Sequence, residues 1–155
     1  MKRVLLPLMA AMVAMLVVAA VAGGHGSKGH RSLELVGTEA SFAFVDVDPK
    51  QATETDPASP GDSFVLSDTL TKQGNDFGSV YAQCTFITAE ATQCVATFDL
   101  PNGQITIQGV FIGEATDFTF AVTGGTGDYT RAGGTVSIHT PQEENAHSTY
   151  NFQFR

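Results

Sequence analysis

Asp68 is the acidic side chain best placed to do chemistry. In Ser63-Phe-Val-Leu-Ser-Asp-Thr-Leu70, alternation puts Phe64, Leu66, Asp68 and Leu70 on one face of a strand, so the carboxyl shares that face with core residues. A carboxyl held among apolar side chains has its charged form disfavoured and its pKa raised, which suits it to general acid or base work. The competing reading leaves Asp68 at a strand end, in water or bonded to a turn. Asp46 is a second candidate. Phe42, Phe44, Asp46 and Asp48 share one face of an earlier strand and Ala43, Val45 and Val47 the other, and either face fits an interior.

The remaining reactive side chains point to structure more than to catalysis. Cys84 and Cys94 lie in strand-like runs on either side of Thr88-Ala-Glu90, so a hairpin centred on Ala89 sets them opposite each other as a disulfide. Closing so short a loop restrains the unfolded chain by roughly 3 kcal/mol in the entropic account. His25 and His30 sit in a glycine-rich segment that fixes no metal geometry, and His139 and His147 flank a loop. No Ser/His/Asp or Cys/His arrangement can be assembled from spacing. Gly124-Gly-Thr-Gly127 lacks the Gly-Lys-Ser/Thr continuation of a phosphate loop and reads as a tight corner, with Tyr129 packed on the wall. Alternatively Tyr129 and Tyr81 turn a hydroxyl into a cavity.

The elements that would position these residues are all strands. Met1-Lys-Arg3 followed by an apolar run ending in Ala20-Val-Ala22 reads as a secretory signal peptide over residues 1–22, with an uncleaved anchor helix as the rival. Cleavage removes two of the eight basic residues and none of the sixteen acidic ones, leaving a net charge near −10. Such a surface repels phosphate backbones and anionic headgroups, so neither nucleic acid nor stable membrane association is expected of the secreted form. Residues 23–32 read as a flexible spacer, and 33–155 as one domain with turn signals at short intervals and no helical periodicity. Alternation predicts strands at 33–48, 63–72, 77–87, 92–100, 103–112, 116–123, 135–140 and 148–154. That is enough to close an eight-stranded antiparallel barrel whose interior is either filled or holds one small ligand. Residues 49–61 read as a mobile linker rather than a lid, because they contain no aromatic side chain.

Phe120-Ala-Val-Thr-Gly-Gly-Thr-Gly-Asp-Tyr129, with Ala132-Gly133 after it, resembles the signature of the allene oxide cyclase and dirigent barrels, in particular their bacterial allene oxide cyclase-like relatives. Gly61-Asp-Ser-Phe-Val-Leu-Ser-Asp68, Cys84-Thr85 and Leu100-Pro-Asn-Gly-Gln-Ile105 extend the resemblance, while Gly133 stands where the family usually has arginine. The resemblance implies a calycin-like barrel that encloses a small hydrophobic molecule and guides its cyclisation or coupling without a cofactor, as an isomerase. Asp68 would be the proton-handling group, and Phe42, Phe44, Tyr81, Phe98, Phe111 and Tyr129 the ligand contacts. Relatives of this kind are often oligomers. Two function classes stay open: a cyclase-like guide, or a non-catalytic carrier or structural barrel outside the cell.

Overall fold

The computed structural model describes residues 31–47, 56–143 and 146–155. The expected signal peptide, most of the expected spacer and residues 48–55 of the long first connection lie outside the described residues. Eight strands follow in chain order: β1 Ser32–Val45, β2 Ser63–Lys72, β3 Asn75–Phe86, β4 Ala91–Leu100, β5 Gly103–Ile112, β6 Asp117–Gly125, β7 Gly134–His139 and β8 Ser148–Phe154. Each pairs antiparallel with the next, and β1 pairs with β8 to close the barrel. The β1–β8 pairing spans Ser32–Gly37, and the rest of β1 pairs with β2 alone.

Alternation sorts the side chains, and a bulge re-sorts them in β1. Leu33, Leu35 and Gly37 are buried, but the register with β2 shifts between Glu39 and Ser41, after which Phe42 pairs with Leu66 and Phe44 with Phe64 on the cavity side, the two β1 rings still 54% and 41% exposed. One extra residue therefore moves the inward set from odd to even positions. This settles the open choice for β1 in favour of the phenylalanine face.

The meander topology gives the barrel two unlike ends. The short β2–β3 and β4–β5 turns and the β6–β7 corner close one end, over a core that includes Leu35, Leu70, Ile105, Val136 and Phe152, all fully buried. The glycine corner belongs to this closure. Gly127 is at φ 57°, where glycine is favoured, and a Cβ there would collide with the carbonyl oxygen of Asn102. The backbone N–H of Asp128 donates to that same oxygen at 2.9 Å, so the corner is clamped onto the β4–β5 turn. Tyr129 packs against the core from here, in a short 3₁₀ turn, Gly127–Tyr129.

At the other end the longer connections rim an opening. Residues after the long loop are tied down by Asp62, which is fully buried and accepts hydrogen bonds from the backbone N–H of Val47 at 2.8 Å and of Ser59 at 2.6 Å. Asp62→Ala would leave both donors without their carboxylate, so a loss of about 1.5–3 kcal/mol is expected from urea unfolding. A loss below about 0.5 kcal/mol would show that the loop needs no such anchor.

Candidate functional site

Inward-facing side chains, mostly aromatic or small but including Leu66, Ile107 and Ile138, leave a cavity of about 1130 Å³. Phe42, Phe44, Phe64, Phe86, Phe111 and Phe118 form much of its wall. Phe111 and Phe118 stack at 5.1 Å between centroids, and Phe42 and Phe64 stack at 5.7 Å on the side formed by β1 and β2. Small residues such as Ala82 and Ala96 keep the middle empty. Each of the four connections at the open end contributes to the mouth, through Ala58, Glu90, Glu114 and Gln142 for example.

The floor is where the polar chemistry lies. Phe98 and Tyr150 reach the cavity from β4 and β8, with their rings edge to face at 5.0 Å. The Tyr150 hydroxyl donates to Oδ2 of Asp68 at 2.6 Å, a short bond between residues that are 6% and 5% exposed. Asp68 is not itself among the residues lining the cavity, so the pair meets a ligand through Tyr150. Gly37 makes room for both. A Cβ at this position would stand 2.5 Å from Asp68 Oδ2 and 2.7 Å from the Tyr150 ring.

Burial sets the electrostatics of the pair. It pushes the Asp68 carboxyl above the usual carboxylate range, and the Tyr150 hydrogen bond pulls it only part of the way back. Burial first, then the neighbouring Asp68 charge and its hydrogen bond, hold Tyr150 far above the ordinary tyrosine range, so the phenol keeps its proton. With Asp68 ionised, the phenolic proton points at the carboxylate and the phenol oxygen offers lone pairs elsewhere. With Asp68 protonated, the acid can donate to the phenol oxygen and release the phenolic proton toward the cavity. One carboxyl proton therefore decides whether Tyr150 accepts or donates.

Of the residues expected to touch a ligand, Phe42, Phe44, Phe98 and Phe111 line the cavity. Tyr81 does not: it alternates with the inward Val80, Ala82 and Cys84, and lies on the outer surface with 57% exposure. Nor does Tyr129, which the clamped corner holds at the closed end. Asp46 is half-buried near the mouth and is absent from the lining. Tyr150 was missed by sequence reasoning, although Tyr150, Phe152 and Phe154 alternate in the last strand and mark its inward face. His139 bonds the exposed Asp117 at 2.8 Å and His147 bonds Thr38 Oγ1 at 2.9 Å, both at the surface.

Cys84 and Cys94 are direct partners across β3 and β4, form a disulfide and help line the cavity wall. Replacing both by serine should lower stability by about 2–4 kcal/mol, seen as a lower urea midpoint under non-reducing conditions. An unchanged midpoint would mean that the cross-strand pairing alone fixes this wall.

The model of the allene oxide cyclase barrel like domain matches residues 44–154. The chain belongs to the allene oxide cyclase-like barrel family. The match begins within β1 and takes in the remaining strands of the barrel. No curated protein matches the chain. Among solved structures, a pyocyanin demethylase is 23% identical, with a TM-score of 0.67 over 78% of this chain and 97% of its own. A pterocarpan synthase dirigent protein is 18% identical, with a TM-score of 0.61 over 81% and 93%. AbnU, described as an exo-specific intermolecular Diels-Alderase, is 12% identical, with a TM-score of 0.59 over 80% and 96%. At these identities the likeness is one of fold alone, and the activities named for these proteins differ.

Proposed function

We propose that this barrel takes a small hydrophobic molecule into its cavity and guides its cyclisation or coupling, without a cofactor, as a protein exported from the cell. The observation that carries the reading is the cavity itself: an apolar chamber of about 1130 Å³ whose floor presents one buried tyrosine–carboxyl pair. A chamber of this kind restricts the conformations of a flexible substrate and keeps water from its reactive centre, which are the main contributions a cyclase of this type needs. Tyr150 would orient or protonate one polar atom of the substrate, and Asp68 would set the direction of the Tyr150 hydroxyl. Proteins of the same fold, a Diels-Alderase and a pterocarpan synthase dirigent protein among them, support a cyclisation-guiding role. The apolar run at residues 1–22 and the disulfide support export.

A second reading, carriage without turnover, is favoured by one observation. The Tyr150 hydroxyl is already engaged by Asp68, and Asp68 has no place in the lining, so a ligand could be held by packing alone. Native mass spectrometry of protein purified from its own culture medium tests the shared part of both readings. A co-purifying terpenoid, polyketide or phenolic molecule is the expected result. A clean apo mass, with no ligand-induced rise in melting temperature across a library of such compounds, would overturn both in favour of a structural role.

Gly37→Ala offers an independent check on the floor. Its methyl group must displace Asp68 or Tyr150. The expected result is weaker ligand binding together with a destabilisation of about 1–3 kcal/mol. A variant that binds and melts like the parent would show that the pair is not held by this close fit.

A further inference from the structure

The walls and the rim of the cavity together select a ligand by charge. Six phenylalanines of the wall are joined by Phe98, Phe120 and Tyr150, so a ligand inside meets ring faces and edges on several sides. Ring faces are electron-rich and attract cations, and flat aromatic ligands stack on them. Among the described lining residues, the charged side chains are Asp56, Glu90 and Glu114, and no lysine, arginine or histidine is present. The surrounding sequence carries the same sign. Among the described residues, the four connections at the open end hold six carboxylates, Asp46, Asp56, Asp62, Glu90, Glu114 and Glu143, and no lysine or arginine. At the closed end the turns and the corner hold one acid, Asp128, and one base, Arg131.

We infer that the cavity takes a planar aromatic ligand that is neutral or positively charged, and discriminates against carboxylate-bearing molecules such as fatty acids. The inference rests on the ligand-binding reading above and narrows its substrate class. An anion entering this site leaves water, crosses a rim of like charge and finds no counter-charge along the described lining, so its desolvation goes uncompensated. A cation crosses a mouth whose field draws it in, and then rests on ring faces. A neutral aromatic pays neither cost.

Three probes that share one ring system test this: 2-naphthylmethylammonium, 2-naphthalenemethanol and 2-naphthoate, titrated into the full protein and followed by calorimetry and naphthalene fluorescence. At low salt the ammonium compound is expected to bind at least about tenfold more tightly than the carboxylate, with the alcohol between them or equal to the cation. Added salt should shrink the gap, because rim charges are screened. The double variant Glu90→Gln/Glu114→Gln should shrink it as well; both side chains are exposed, so the fold is not at stake. Equal binding of all three, or tighter binding of the naphthoate, would overturn the charge inference and leave the cavity reading standing. Binding of none, against a folded protein by circular dichroism, would overturn the cavity reading and this inference with it.

Discussion

Asp68→Asn is expected to cut turnover of a bound substrate by about 10²- to 10⁴-fold, the usual reach of a positioned acid or base, while ligand affinity changes little. Asparagine keeps the shape and an acceptor for the Tyr150 hydroxyl but cannot hold the proton whose position decides whether Tyr150 accepts or donates. The pH profile separates this role from simple packing. The wild-type rate should carry an inflection above the ordinary aspartate range, because burial raises the Asp68 pKa, and the asparagine variant should lose it. Stability gives a second readout with a definite sign. The folded protein holds the Asp68 proton more tightly than the unfolded chain, so this group's contribution is fully present below about pH 4 and is lost as pH rises through the raised folded value. Asp68→Asn should therefore gain stability relative to wild type as pH climbs from acid to neutral. A relative stability that is flat across that range would place the carboxyl in water, contrary to its 5% exposure.

The largest stability effect is expected at the floor. Phe98 is fully buried and meets Tyr150 and Phe152 edge to face, each at 5.0 Å. It thus stands between the packed end of the barrel and the open cavity. Phe98→Ala removes a ring that two neighbours lean on, and a loss of about 3–5 kcal/mol is expected from urea unfolding with an unchanged slope. The same change should also deepen the cavity and weaken the hold on Tyr150, so any bound ligand should dissociate faster. A loss under about 1 kcal/mol would mean that the floor is loosely packed and the two ends are not separate compartments.

Much of this was legible in the sequence because a strand announces itself by alternation. The runs around Phe64 to Leu70 and Ile105 to Phe111 alternate cleanly, and Asn102-Gly103 marks the turn between β4 and β5, with both residues at positive φ. The cysteine pair was legible for the same reason, since a short hairpin leaves little freedom of register. What could not be read was anything set by the closing of the sheet. The shift between Glu39 and Ser41 depends on how β1 meets β2 and β8 together, and no local signal in β1 fixes it. Asp68 was found from its apolar company, but its partner lies 82 residues away and becomes a neighbour only when β8 closes on β1. Tyr81 was misplaced for a different reason. Its alternation with Cys84 sets it on the opposite face of β3, and its hydroxyl is no guide to which face lines the cavity.

A ligand bound inside the barrel would sit above Tyr150. Ala96 lines the middle of the cavity from β4, and a phenylalanine there would fill the space a ligand needs. Titration calorimetry of the co-purifying molecule into wild type and Ala96→Phe, with melting temperatures measured alongside, tests this placement most directly. One-to-one binding to wild type with a negative heat-capacity change is expected, and no binding to a variant that still melts cooperatively. Equal binding by both would place the ligand outside the barrel, for instance in the shallow outer groove beside Tyr81, and would overturn binding in the cavity.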